Sequence, residues 1–161
     1  MGIDLNEISI LSRREIEARI AGPIIIRFIE AFGKEKTMKI VSELIEDLAK
    51  KSGEELKEHT GGNTIGHYLK GMELWSKNDA YELQIIERTE TNLSINITRC
   101  RYAEMYEEIG FKELGFSLSC GRDFALMEGF NPEVKMTRTQ TIMEGAEHCD
   151  FRYVFPGANK V

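Results

Sequence analysis

Leu93-Ser94-Ile95-Asn96-Ile97-Thr98 decides the fold class, because apolar and polar side chains alternate there with the period of a strand buried on one face. Just upstream, Tyr81, Leu83 and Ile85 alternate in the same way, and Glu90-Thr91-Asn92 offers a turn between the two runs. The pair reads as an antiparallel hairpin with one buried face, carrying Tyr81, Leu83, Ile85, Leu93, Ile95 and Ile97.

Upstream of the hairpin the period becomes helical. Residues 13–32 carry Ile16, Ile20, Ile24 and Phe28 four apart, one stripe of an amphipathic helix, with Pro23 expected to kink or restart it. Gly33 ends that helix, and Met38, Val41, Leu44, Ile45 and Leu48 draw a second stripe up to about Lys51, where Gly53 offers a stop. A third helix is expected from Thr64 to Trp75. The turn before it, Gly61-Gly62-Asn63, lacks the Lys-Ser/Thr ending of a phosphate loop and reads as a helix start.

Downstream, Tyr102, Met105, Tyr106 and Ile109 return to helical spacing, closed by Gly110, and a further helix is expected from Cys120 through Met127, ending at Gly129-Phe130-Asn131-Pro132. Two strands finish the chain, Val134 to Ile142 and Cys149 to Phe155. In the last, Cys149, Phe151, Tyr153 and Phe155 share one face, with Asp150 and Arg152 on the other. The order predicts an α+β fold: a four-stranded antiparallel sheet covered by helices, with an N-terminal helical pair. One domain is expected over residues 1–161, helical over 1–78 and sheet-containing over 79–161.

Composition narrows the function. A chain of 161 residues can bury roughly 70% of its unfolded surface without metals or disulfides. The net charge of -6 argues against a nucleic-acid or anionic-membrane partner. The apolar run Ile20 to Ile26 is broken by Gly22 and Pro23, far short of a membrane span. The start has no basic region leading into an apolar core, and Asn6 stands where a myristoylation signal has Ser or Thr. With three cysteines and no export signal, the expected setting is the cytoplasm, with the thiols reduced.

The chemistry-bearing residues gather in the last third. Cys120 and Asp123 are three apart and share a helical face, where a carboxylate can carry a proton for a thiol. The plainer alternative is a buried cysteine packing beside a turn-capping aspartate. Cys149 opens a strand after the turn at Gly145, a place where backbone can come close to a ligand. His148 beside it points to the opposite face of that strand and cannot easily serve it as a base. Zinc or another divalent metal, held by the cysteines with Asp123 or His148, lacks the C-x2-C spacing that marks such sites; no metal or other cofactor is assigned. Arg99, Arg101, Arg122 and Arg138 lie near the thiols in sequence and any one could clamp a substrate carboxylate, Arg138 being the first choice, with Thr139 or Thr141 beside it.

The run Cys100 … Tyr106 … Gly110 … Leu114-Gly115 … Cys120-x2-Asp123 … Phe130-Asn131-Pro132 … Arg138-Thr139-x-Thr141 … Gly145-x3-Cys149-Asp150-Phe151 resembles the L-2-amino-thiazoline-4-carboxylic acid hydrolase family, over about residues 80–155. That resemblance implies a small-molecule hydrolase opening a cyclic C–N/C–S substrate to N-carbamoyl-L-cysteine. The Gly-x3-Cys-x-Phe ending is also similar to ligand-binding domains of the 4-vinyl-reductase type and to transport-particle (TRAPP) subunits. This second likeness implies a homodimer, and as the alternative function a non-catalytic binder of small or hydrophobic ligands. A site converging on Cys149, Cys120 and Asp123, with Cys149 slightly ahead as nucleophile and Asp123 as proton carrier, favours the enzyme. A purely apolar pocket favours the binder.

Overall fold

The computed structural model describes residues 7–157. The opening residues, read above as free of export and myristoyl signals, lie outside that range. Among the described residues no helix is long and apolar enough to cross a membrane.

Ser9 caps the first helix, α1 (Ile10–Phe32), its hydroxyl accepting the amide of Ser12 at 3.1 Å. The helix runs through Pro23 without restarting: the missing amide removes one bond from a helix whose inner face is held by packing. Gly33, at φ 89°, turns the chain straight into α2 (Lys34–Thr60), and the two helices pair. The expected stop at Gly53 does not occur. Gly53 and Gly129 are spacers instead: a Cβ on Gly53 would stand 2.0 Å from the Leu126 carbonyl oxygen, and one on Gly129 1.9 Å from that of Lys50. They let α2 and α6 (Arg122–Phe130) touch backbone to backbone. Gly129 lies in the last turn of α6, which ends within the expected stretch 129–132, at Phe130 with Asn131 as its cap.

The stripe Ile16, Ile20, Ile24 and Phe28 does not face the core, since each is half exposed or more. The inner face of α1 is Leu11, Ala18, Gly22 and Ile25, with smaller residues than the outer face, and Gly22 seats the ring of Phe111. Leu44 and Leu48 of α2 are likewise exposed, whereas Met38, Val41 and Ile45 pack inward. Helical period alone locates a stripe but not the side on which the protein lies.

After α3 (Ile65–Ser76) come β1 (Tyr81–Arg88) and β2 (Asn92–Cys100), then α4 (Arg101–Glu108) and the short α5 (Lys112–Gly115). A π-helical turn over Phe116–Cys120 leads into α6, with the Gly121 amide donating to the Phe116 carbonyl at 2.7 Å. β3 (Lys135–Thr137) and β4 (Cys149–Val154) complete a four-stranded antiparallel sheet of order β1-β2-β4-β3. The fold is α+β with helices packed on one face of that sheet.

β2 keeps the expected pattern, with Leu93, Ile95 and Ile97 buried and paired with Tyr153, Phe151 and Cys149 of β4. β1 does not: Leu83 and Ile85 are exposed. It is an edge strand with register shifts on either side of Leu83–Ile85, and only Tyr81 at its start joins the core. The strand expected over 134–142 stops at Thr137. The Asp150 carboxylate takes the amides of Thr139 and Gln140, both at 2.9 Å, so these no longer serve a ladder.

Two apolar clusters form the interior. One joins α2, α3 and α6 to β2 and β4; the other joins α1, α4, α5 and the π turn.

Candidate functional site

A cavity of about 1230 Å³ opens between the two apolar clusters. Its floor is the inner sheet face, with Ile95, Ile97, Phe151 and Tyr153, and α3 contributes Tyr68, Met72 and Trp75. α1 and α2 form the opposite wall. The start of α6 brings Asp123 into it, and the loop after β3 brings Arg138.

Asp123 and Arg138 form an ion pair through Oδ2 and Nη1, and the same Nη1 donates to the Cys120 carbonyl at 3.1 Å. The guanidinium lies 5.6 Å from the Phe116 ring, 5.3 Å from Phe124 and 5.4 Å from Phe151. Three rings and a carboxylate thus hold it, and its side chain is 3% exposed. The sequence marked Arg138 for a ligand's carboxylate; the structure gives it to Asp123.

Burial pushes the Asp123 carboxyl up to about 6, against the pull of Arg138 and, more weakly, of Arg122 and Arg14. Yet 36% of the side chain is accessible, and Asp123 lines the cavity. Asp123 is thus a carboxyl poised to change its proton near neutral pH, facing the cavity.

All three thiols line the same cavity. Cys120 follows from the π turn, and Cys149 from its place on the inner face of β4, where the Ile142 amide donates to Sγ at 3.3 Å. Burial pushes the Cys149 thiol up to about 11, and it raises Cys100 and Cys120 as well, the latter helped by Asp123. At pH 7 a thiol near 11 is ionised on the order of one part in ten thousand, far from an activated nucleophile. Among the described residues no three His, Cys, Asp or Glu side chains stand together as a metal's ligands.

Thr139 and Thr141 stand outside the lining. The Thr139 hydroxyl donates to Asp150 at 2.6 Å, while buried Thr141 caps the 3₁₀ turn Ile142–Glu144 and donates to Glu144 at 2.8 Å. His148 offers its carbonyl to Gln140. The sequence reading missed Arg14, which lines the cavity far from the thiols in sequence, and Tyr106; Arg122, between Cys120 and Asp123, was among the arginines it named, ranked behind Arg138.

The chain belongs to the L-2-amino-thiazoline-4-carboxylic acid hydrolase family, whose sequence model matches residues 13–153. No curated protein matches the sequence. Among solved structures, the chain is similar to the phenol-responsive sensory domain of the transcription activator PoxR, solved with phenol. The TM-score is 0.52 at 8% identity, covering 84% of this chain and 72% of that one. It is also similar to a trafficking protein particle complex subunit 3 from Naegleria fowleri, covalently bound to palmitic acid. There the TM-score is 0.51 at 9% identity, over 92% of this chain and 98% of the other. At such identities the likeness is one of fold.

Proposed function

We propose that the protein is a small-molecule hydrolase that opens a cyclic C–N/C–S substrate such as L-2-amino-thiazoline-4-carboxylate to N-carbamoyl-L-cysteine. The observation that carries this reading is Asp123: a cavity-facing carboxyl paired with Arg138 and pushed by burial up to about 6, where it can change its proton close to neutral pH. Family membership supports the substrate class.

The reaction needs a new C–O bond at the carbon between ring nitrogen and ring sulfur, and cleavage of that carbon's bond to sulfur. The two protons of water end on the ring nitrogen and on the departing sulfur. Asp123 as carboxylate takes a proton from the attacking water and delivers it to the sulfur as the ring opens. Arg138 positions Asp123 and keeps it from staying protonated. Water is the nucleophile, since Cys120 and Cys149 hold their protons. The two thiols form a polarisable wall against the ring sulfur.

A non-catalytic ligand-binding domain is the second reading. The observation favouring it is size: about 1230 Å³ far exceeds what one five-membered ring fills. The fold's likeness to a sensory domain solved with phenol points the same way. Incubation with the thiazoline, following N-carbamoyl-L-cysteine and the new free thiol, separates the two. Turnover supports the hydrolase; saturable binding without turnover supports the binder.

The exposed apolar band of Ile16, Ile20, Ile24, Phe28 and Leu44 supports a homodimer through the α1–α2 face. Three unbridged cysteines are consistent with a cytoplasmic setting, and the acidic charge with a protein that does not bind nucleic acid.

A further inference from the structure

Arg122 is 8% exposed, yet among the described residues no carboxylate, carbonyl or hydroxyl bonds its guanidinium, which lines the cavity. An unpaired buried charge is expensive to keep, and the usual remedy is a partner. Arg14 lines the same wall and, after burial itself, is the charge that acts most strongly on Arg122, followed by Glu17, which Arg14 holds as its own ion pair. Tyr106, 1% exposed, adds a hydroxyl with no partner among the described residues. Arg13, also in the wall, has a buried Nε without a bond. In a chain of net charge -6, the lining holds four arginines against Glu17, Glu55 and Asp123.

We propose that Arg122, flanked by Arg14 and Tyr106, seats the carboxylate of a small organic acid, whose apolar body lies toward Tyr68, Trp75 and Tyr153. The guanidinium fork matches a carboxylate's two oxygens, and the Tyr106 hydroxyl adds a third donor. Burial and Arg14 lower Arg122 to about 10, so it stays charged at neutral pH, while burial lifts Tyr106 to about 12, so it stays a donor. Arg138, already taken by Asp123, is left to position the acid–base group. In the hydrolase reading, on which the substrate's identity rests, this seat orients the thiazoline by its own carboxylate and turns its ring toward Asp123.

The test uses Trp75, the single tryptophan and part of the lining, as a reporter of occupancy. Benzoate and benzyl alcohol are close in size and differ in charge, and both are titrated into the wild-type protein. The expected result is benzoate binding on the order of tenfold tighter, a preference lost in Arg122→Gln and partly restored in Arg122→Lys. Unliganded Arg122→Gln should melt at the wild-type temperature or above it, because an unpaired buried charge has gone. Equal affinity of the wild type for the two probes overturns the proposal, and so does an undiminished benzoate preference in Arg122→Gln. The wild-type comparison decides alone should the variant fail to fold. A benzoate preference without thiazoline turnover removes the hydrolase reading and leaves the seat. Thiazoline turnover with unchanged KM in Arg122→Gln removes the seat and leaves the hydrolase.

Discussion

Asp123 was legible in the sequence as a carboxylate three residues from a thiol, but its partner was not. Arg138 reads as a free clamp until the rings of Phe116, Phe124 and Phe151 are seen around it, and those rings come from three separate segments. The thiols were legible as cavity residues, since strand alternation places Cys149 inward, whereas their protonation depends on burial that no spacing reveals. The Asp123 carboxyl lies above its ordinary 3.8, at about 6, so the native state holds the proton more tightly than the unfolded chain. Its contribution to stability is therefore full below about pH 4 and is lost as pH rises through about 6. Urea midpoints of wild type and Asp123→Asn between pH 4 and 7 check this. Relative to the variant, the wild type should weaken as pH rises; a constant difference across that range would place the carboxyl at its ordinary value. In the hydrolase the carboxylate form is the base, so kcat/KM should climb through the same pH window.

At the scale of elements, the order of helices and strands followed from periodicity, and so did the inner faces of β2 and β4. What failed is what depends on neighbours distant in sequence. Gly53 looks like a helix stop because glycine is a weak helix former, yet with Gly129 it marks where α2 and α6 share one contact. Gly53→Ala should cost about 3 kcal/mol despite the better helix former, since backbone cannot yield as a side-chain tip does. Its urea midpoint would be read against wild type, and a neutral or stabilised variant would mean the two helices are not in backbone contact. β1 alternates as an inner strand would, but an edge position leaves Leu83 and Ile85 exposed. β3 is cut short by a side chain, Asp150, that takes the amides of Thr139 and Gln140.

Across the whole molecule, α1 turns its smaller residues inward and its larger apolar residues outward, the inverse of the stripe read from sequence, while α2 packs Met38, Val41 and Ile45 inward and leaves Leu44 and Leu48 outside. If that outer face joins two copies, the protein should be a dimer by light scattering at micromolar concentration, and Ile20→Glu combined with Leu44→Glu should yield a folded monomer. A monomeric wild type would instead leave the band unexplained by self-association. The same two helices wall the cavity, which lies where the two apolar clusters meet, and the acid–base group, the thiols and the arginines all face it. The central claim is that Asp123 works on water while the thiols keep their protons. Its most direct measurement is the rate of N-carbamoyl-L-cysteine release from the thiazoline by wild type, Asp123→Asn, Cys120→Ser and Cys149→Ser. The account predicts a loss of about a hundredfold or more in Asp123→Asn and turnover within a few-fold of wild type in both serine variants. Full activity in Asp123→Asn, or abolished activity in folded Cys149→Ser, would contradict it.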